Sequence, residues 1–112
     1  MADWVDVASV EEFPAGESRL IDVDDVMIAV FNLDGEYFAI EDVCSHDGSP
    51  MLGCGIDSED LLDGDQIICP RHGARFCIKT GEALTAPAYE AISKFPTRIN
   101  NATVQVRDDR WD

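Results

Sequence analysis

No stretch of this sequence sustains a helical repeat. Its apolar residues fall in short runs, rich in β-branched and aromatic side chains and cut by turn residues. That pattern belongs to strands and points to an all-β fold. Trp4 to Val7 and Ser18 to Val23 read as the first two strands. Val26 to Asn32 and Glu36 to Glu41 flank Leu33-Asp34-Gly35, where Asp-Gly is a strong hairpin signal. Gln66 to Cys69 reads as a short strand entered from the turn Asp63-Gly64-Asp65. Thr97 to Ile99 and Thr103 to Arg107 flank a second hairpin tip at Asn100-Asn101. Helix is hinted at once: Ser9 caps a single turn over Val10 to Phe13, and Pro14 ends it. Long loops fill most of the stretch between Val43 and Pro87. With 112 residues, no internal repeat and no linker tract, the expectation is one domain spanning 1–112.

Charge narrows the function classes. The formal net charge is −15, which repels phosphate backbones and anionic lipids and so argues against nucleic-acid and membrane-surface roles. The longest strongly apolar run, Val26 to Phe31, is far short of a bilayer span. The start Met1-Ala2-Asp3-Trp4 shows no basic segment leading into an apolar one, so a cytoplasmic protein is expected, neither secreted nor anchored. Residues 1–70 hold 18 of the 23 acids and one base, Arg19. Three bases, Arg71, Arg75 and Lys79, follow Cys69 closely. They form either an ordinary solvated face or a local positive patch that orients a docking partner.

Four cysteines in a chain expected to be cytosolic point to metal or redox chemistry before disulfides. Cys44-Ser45-His46 and Cys69-Pro70-Arg71-His72 each offer one sulfur and one imidazole, and between them they use both histidines. One intervening residue puts Cys44 and His46 on the same side of an extended segment, roughly 6–7 Å apart. A turn at Pro70 would bring Cys69 and His72 to one face. Gly48 and Gly73 follow the histidines, where glycine lets backbone approach a compact inorganic object and donate N–H groups to it. Three readings are open: unrelated structural cysteines and histidines, a structural zinc site, and a [2Fe–2S] cluster with sulfur on one iron and imidazole on the other. The usual zinc framework groups Cys with Cys and His with His, unlike this one. Cys54 and Cys77 read as small apolar packing residues. The acidic stretch Asp57 to Asp65 does not place its acids at the alternate positions an EF-hand needs. Asn101-Ala102-Thr103 fits a glycosylation sequon and is read as a turn.

The two Cys/His segments resemble the cluster-binding boxes of Rieske [2Fe–2S] proteins, and the likeness continues through Phe76, Thr80-Gly81 and Pro87-Ala88. The whole chain is similar in length to the soluble Rieske ferredoxins of bacterial ring-hydroxylating dioxygenase systems. The resemblance implies stacked antiparallel sheets with two cluster-binding loops at one tip, and a third loop, Ala86-Pro87-Ala88, over the cluster. It implies that Cys44 and Cys69 ligate the inner iron and His46 and His72 the outer one. Respiratory-complex Rieske proteins carry a disulfide between the boxes; the corresponding positions here look like Ser49 and Arg71, so that brace is absent. Those proteins also place a serine where this chain has Ala74.

The same resemblance implies a one-electron carrier, not a catalyst. With imidazoles on one iron the oxidised centre carries no formal net charge, whereas four thiolates leave it doubly negative. An electron therefore enters more readily, and Rieske potentials lie at roughly −150 to +300 mV. Ala74 and the missing disulfide place this chain toward the low end of that range. The donor implied is a flavin-dependent NAD(P)H reductase and the acceptor a terminal Rieske non-haem iron oxygenase, each met transiently, with a monomer as the default for a shuttle. The alternatives are a small Rieske-like subunit of a larger reductase, such as assimilatory nitrite reductase, and a zinc-stabilised interaction module.

Overall fold

The computed structural model describes residues 4–23, 25–45, 48, 50–54, 58–70, 73–86 and 90–109. Within them lie ten strands: β1 (Val5–Ser9), β2 (Ser18–Val23), β3 (Val26–Leu33), β4 (Glu36–Glu41), β5 (Leu62–Asp63), β6 (Gln66–Ile68), β7 (Arg75–Cys77), β8 (Lys94–Phe95), β9 (Thr97–Asn100) and β10 (Thr103–Val106). They form three sheets, in the orders β1-β10-β9, β2-β3-β4-β8 and β5-β6-β7. Every named pairing is antiparallel. The one α-helix among the described residues, α1 (Ser58–Leu61), is a single turn. No described helix is long and apolar enough to cross a membrane.

The unbroken apolar run Val26 to Phe31 has a structural reason. Successive side chains of a strand point to opposite faces, and β3 has a core on each. Ile28 and Val30 pack with Phe13, Val23, Ala39, Phe95, Val104 and Val106, between the central sheet and the β1-β10-β9 sheet. Ala29 and Phe31 face the other way, with Ile40, Met51, Leu61, Ile67, Phe76, Ile78 and both Cys44 and Cys69. A strand covered on both faces needs apolar residues at every position. The central sheet is thus a shared floor, and the candidate ligands belong to the core on one side of it.

Turn chemistry sets the hairpins. Asp34 and Gly35 join β3 to β4 with φ of 55° and 93°, the doubly left-handed turn that Asp-Gly favours. The buried Asn32 locks it by accepting from the Gly35 amide at 2.7 Å and donating to the Phe13 carbonyl at 2.8 Å. Ser9 accepts from the Glu12 amide at 3.3 Å, capping a 3-10 turn over Val10–Glu12, as the sequence implies.

Several boundaries and elements differ from the sequence reading. β1 starts one residue later and runs on to Ser9, and the second hairpin tip is Asn101-Ala102, not Asn100-Asn101. The stretch read as long loops holds α1, β5 and β7 as well as the expected β6, and β8 lies beyond it. These pieces are two to four residues long, too short to show any periodicity. In the acidic stretch, Asp57 lies outside the described residues; beyond it α1 sends Leu61 into the core, and a β5–β6 hairpin comes next. Asn101 and Ala102 have φ of 52° and 62°. Alanine resists that region, where an L-residue is penalised by about 1–2 kcal/mol. Replacing Ala102 by Gly should stabilise the protein by about 0.5–1 kcal/mol after glycine's larger unfolded-state entropy is counted, read as a higher urea midpoint with unchanged slope.

Candidate metal centre

Cys44 leaves the end of β4 and Cys69 the end of β6. Both thiols are fully buried and belong to the same apolar core, with Ala74, Met51 and Ile92 around them. Their loops close with the same bond. The Gly48 amide donates to the Cys44 carbonyl at 2.7 Å, and the Gly73 amide donates to the Cys69 carbonyl at 2.9 Å. In each case the donor stands four positions after the acceptor, and the glycine stands at φ +76° or +75°. A Cβ on either glycine would meet nothing within 4 Å, so backbone conformation, not crowding, asks for glycine here. The second turn is tightened further by the Cys69 amide donating to the Ala74 carbonyl at 2.7 Å.

Cys44 opens a closed turn; the extended spacing expected between Cys44 and His46 runs into His46, which lies outside the described residues. The amides of Gly48 and Gly73 are bonded to the cysteine carbonyls. Pro70 does lie in a turn, as expected. His46 and His72 lie outside the described residues, as do Ser49, Arg71 and the Pro87-Ala88 part of the third loop. Of the four candidate ligands the described chain puts the two sulfurs in one buried core. Among the described residues no three metal-ligating side chains converge.

Sequence reasoning passed over Asp42. It is nine-tenths buried and more, and its carboxylate accepts three backbone amides: Met51 at 3.2 Å and Leu52 at 2.6 Å on Oδ1, and Gly53 at 2.9 Å on Oδ2. The loop that carries Cys44 therefore begins beside Asp42 and returns to it. Gly53 fits because a Cβ there would press on Asp42 Oδ2 at 3.1 Å and Leu20 Cδ2 at 3.3 Å. One acid among 23 in so negative a chain gave no signal of this role.

Of the three bases after Cys69, the two described ones fit the ordinary solvated face, Arg75 being partly exposed and Lys79 exposed. Arg75 pairs with Asp63 at 2.8 Å and bonds Gln66 at 3.1 Å across the small sheet. Lys79 lies over the Phe38 ring at 5.7 Å, and Arg71 is outside the described residues. Cys77 is a half-buried free thiol, so it is not bridged to Cys54, whose side chain is not among those described.

Two buried sulfurs in one core are the soft donors that iron–sulfur clusters and zinc take, and one sulfur plus one imidazole per finger matches the Rieske donor set. The residues present fit such a cluster. Residues 3–96 match the family model of the Rieske [2Fe-2S] domain. The chain belongs to that family. Its relatives include the 3-phenylpropionate/cinnamic acid dioxygenase ferredoxin subunit of Shigella flexneri, 41% identical over 96 residues that cover 85% of this chain and 84% of the relative. The biphenyl dioxygenase ferredoxin subunit of a Pseudomonas strain is 39% identical, covering 88% and 85%. Among solved structures, a chain from the complex of reduced oxygenase and oxidised ferredoxin in carbazole 1,9a-dioxygenase superposes with a TM-score of 0.80 at 28% identity, over 93% of this chain and 92% of that one. The Sphingomonas yanoikuyae B1 ferredoxin gives 0.77 at 28%, over 95% and 99%. Membership of an iron–sulfur family and relatives of this kind set aside the zinc module and the nitrite-reductase-type subunit.

In this Rieske domain the Asp42 carboxylate is the brace of the first finger. Asp42→Ala leaves three amides without their acceptor and should destabilise the protein by about 3 kcal/mol or more, with Asp42→Asn intermediate. Denaturant unfolding of the two variants beside the parent checks this.

Proposed function

We propose that this Rieske protein is a soluble, cytoplasmic one-electron carrier, a single domain over residues 1–112, acting as a monomer between a flavin-dependent NAD(P)H reductase and a terminal Rieske non-haem iron oxygenase. Cys44 and Cys69 hold the inner iron of one [2Fe–2S] cluster, and His46 and His72 hold the outer one. The observation that carries this reading is the matched pair of Cys–Gly turns, which put two buried sulfurs into one apolar core. When bound, the cluster supplies reversible one-electron chemistry. The protein's part is to keep the two sulfurs dry, hold both fingers still and leave the docking face to its partners. Relatives of matching length are ferredoxin subunits of dioxygenases, which supports a carrier over a catalyst.

Charge suits the shuttle. Glu11, Glu12, Glu17, Asp34, Glu36, Asp60 and Asp65 are exposed on a chain of net charge −15. Acidic surfaces of this kind steer encounter with basic partner surfaces and are screened by salt.

Purified protein should be reddish-brown, hold iron and acid-labile sulfide in equal amounts, turn paramagnetic on reduction, and show a midpoint in the lower part of the range of roughly −150 to +300 mV. Cys44→Ser and Cys69→Ser should lose the cluster, and His46→Ala and His72→Ala should lose the Rieske spectrum. A histidine variant with an unchanged spectrum, or a colourless zinc-loaded parent, overturns the assignment. Electron transfer to a dioxygenase oxygenase component should slow as ionic strength rises from about 0.01 to 0.15 M, over which the screening length falls from about 30 to 8 Å. A rate that ignores salt removes the steering.

A further inference from the structure

We propose that Ser45 is a positioning residue that ties the first ligand finger to the second through the segment Glu90–Ser93, doing by hydrogen bonds what a disulfide does in braced relatives. The proposal rests on the Rieske reading of the four ligands.

The Ser45 hydroxyl donates to the Glu90 carbonyl at 2.6 Å, across 45 positions of sequence. This bond extends a ladder that has otherwise ended. β4 and β8 pair at Ala39 with Phe95 and Ile40 with Lys94, and the Glu41 amide adds a rung to the Ser93 carbonyl at 2.9 Å. The next amide, Asp42, turns away to the Met27 carbonyl at 2.9 Å. Beyond that departure a side-chain hydroxyl supplies the donor, and it does so between Cys44 and His46.

From Glu90 the connection runs on to the other finger. The Ile92 amide donates to the Gly81 carbonyl at 2.8 Å, and the Gly81 amide donates to the Cys77 carbonyl at 2.7 Å. Cys77 ends β7, which comes directly after the Cys69–Ala74 turn. Ile92 is buried in the core that also holds Cys44 and Cys69. The contact at Gly81 is as close as backbone can come: a Cβ there would stand 2.2 Å from the Ile92 carbonyl oxygen, at φ +79°. Side chains are thus excluded at one end of the strap, and a hydroxyl is used at the other. A strap anchored this way holds the tip of the first finger, which the Asp42 brace reaches only at its root.

The test uses as-purified Ser45→Ala, Ser45→Thr and parent protein, with two readouts. One is the rate at which visible absorbance is lost to an iron chelator; the other is amide hydrogen exchange at Gly48 and Ile92. Ser45→Ala should lose its cluster about five-fold faster and exchange faster at both amides by a similar factor, the size expected for one ordinary net hydrogen bond. Ser45→Thr, which keeps the hydroxyl, should stay near the parent in both readouts, and global unfolding of Ser45→Ala should lose no more than the same single bond, about 1 kcal/mol. Gly81→Ala attacks the far end and should loosen the same amides. If it fails to fold, Ser45→Ala decides alone. Equal cluster loss and equal exchange in Ser45→Ala and parent overturn the strap. A parent without iron overturns the Rieske reading instead, and the exchange comparison on that same protein then judges the strap by itself.

Discussion

Each finger of this protein has to satisfy two demands at once: its sulfur belongs inside an apolar core, while its tip belongs at the surface. A single backbone bond reconciles them. The cysteine carbonyl accepts the amide of a glycine four residues on, so the chain reverses right after the sulfur is buried. The histidines occupy different places within the two turns, second after Cys44 and third after Cys69, yet the closing bond is the same. The fold is arranged around making that closure possible twice, from two sheets that share one core.

The floor for both fingers is β3. Because it is covered on both faces, it cannot tilt toward one core without opening the other, and its length sets how far β4 carries the chain before Cys44. The small β5-β6-β7 sheet sits on one face of that floor and delivers Cys69. The β1-β10-β9 sheet closes the opposite face and contributes no candidate ligand. It is a counterweight, steadied at its rim by Trp4, which has Arg98 at 4.4 Å and Arg107 at 5.8 Å from its ring.

Much of this was legible in the residues. The long strands and the Asp34-Gly35 hairpin come from β-branched runs and turn chemistry, and the first 3-10 turn from Ser9 and Pro14. The two Cys/His segments marked the candidate centre, although their histidines fall outside the described residues. The features that escaped were those that depend on partners distant in sequence. The two-residue strand β8 exists only because β4, more than fifty residues away, offers it hydrogen bonds, and nothing local encodes it. Asp42 looks like any other acid until Met51, Leu52 and Gly53 are seen to point their amides at it. The basic residues after Cys69 left a patch and a solvated face both open until Arg75 was seen to pair with Asp63 across β6.

The carboxylate of Asp42 also draws a border. It returns the first finger to its own starting point by Gly53, so the carboxylate's hold on the loop ends there. Further on, Leu61 still packs in the core that holds both sulfurs, whereas Asp60, Asp63 and Asp65 face solvent. A lineage can therefore recharge these solvent-facing positions to suit a new redox partner while inheriting the metal-holding turn unaltered.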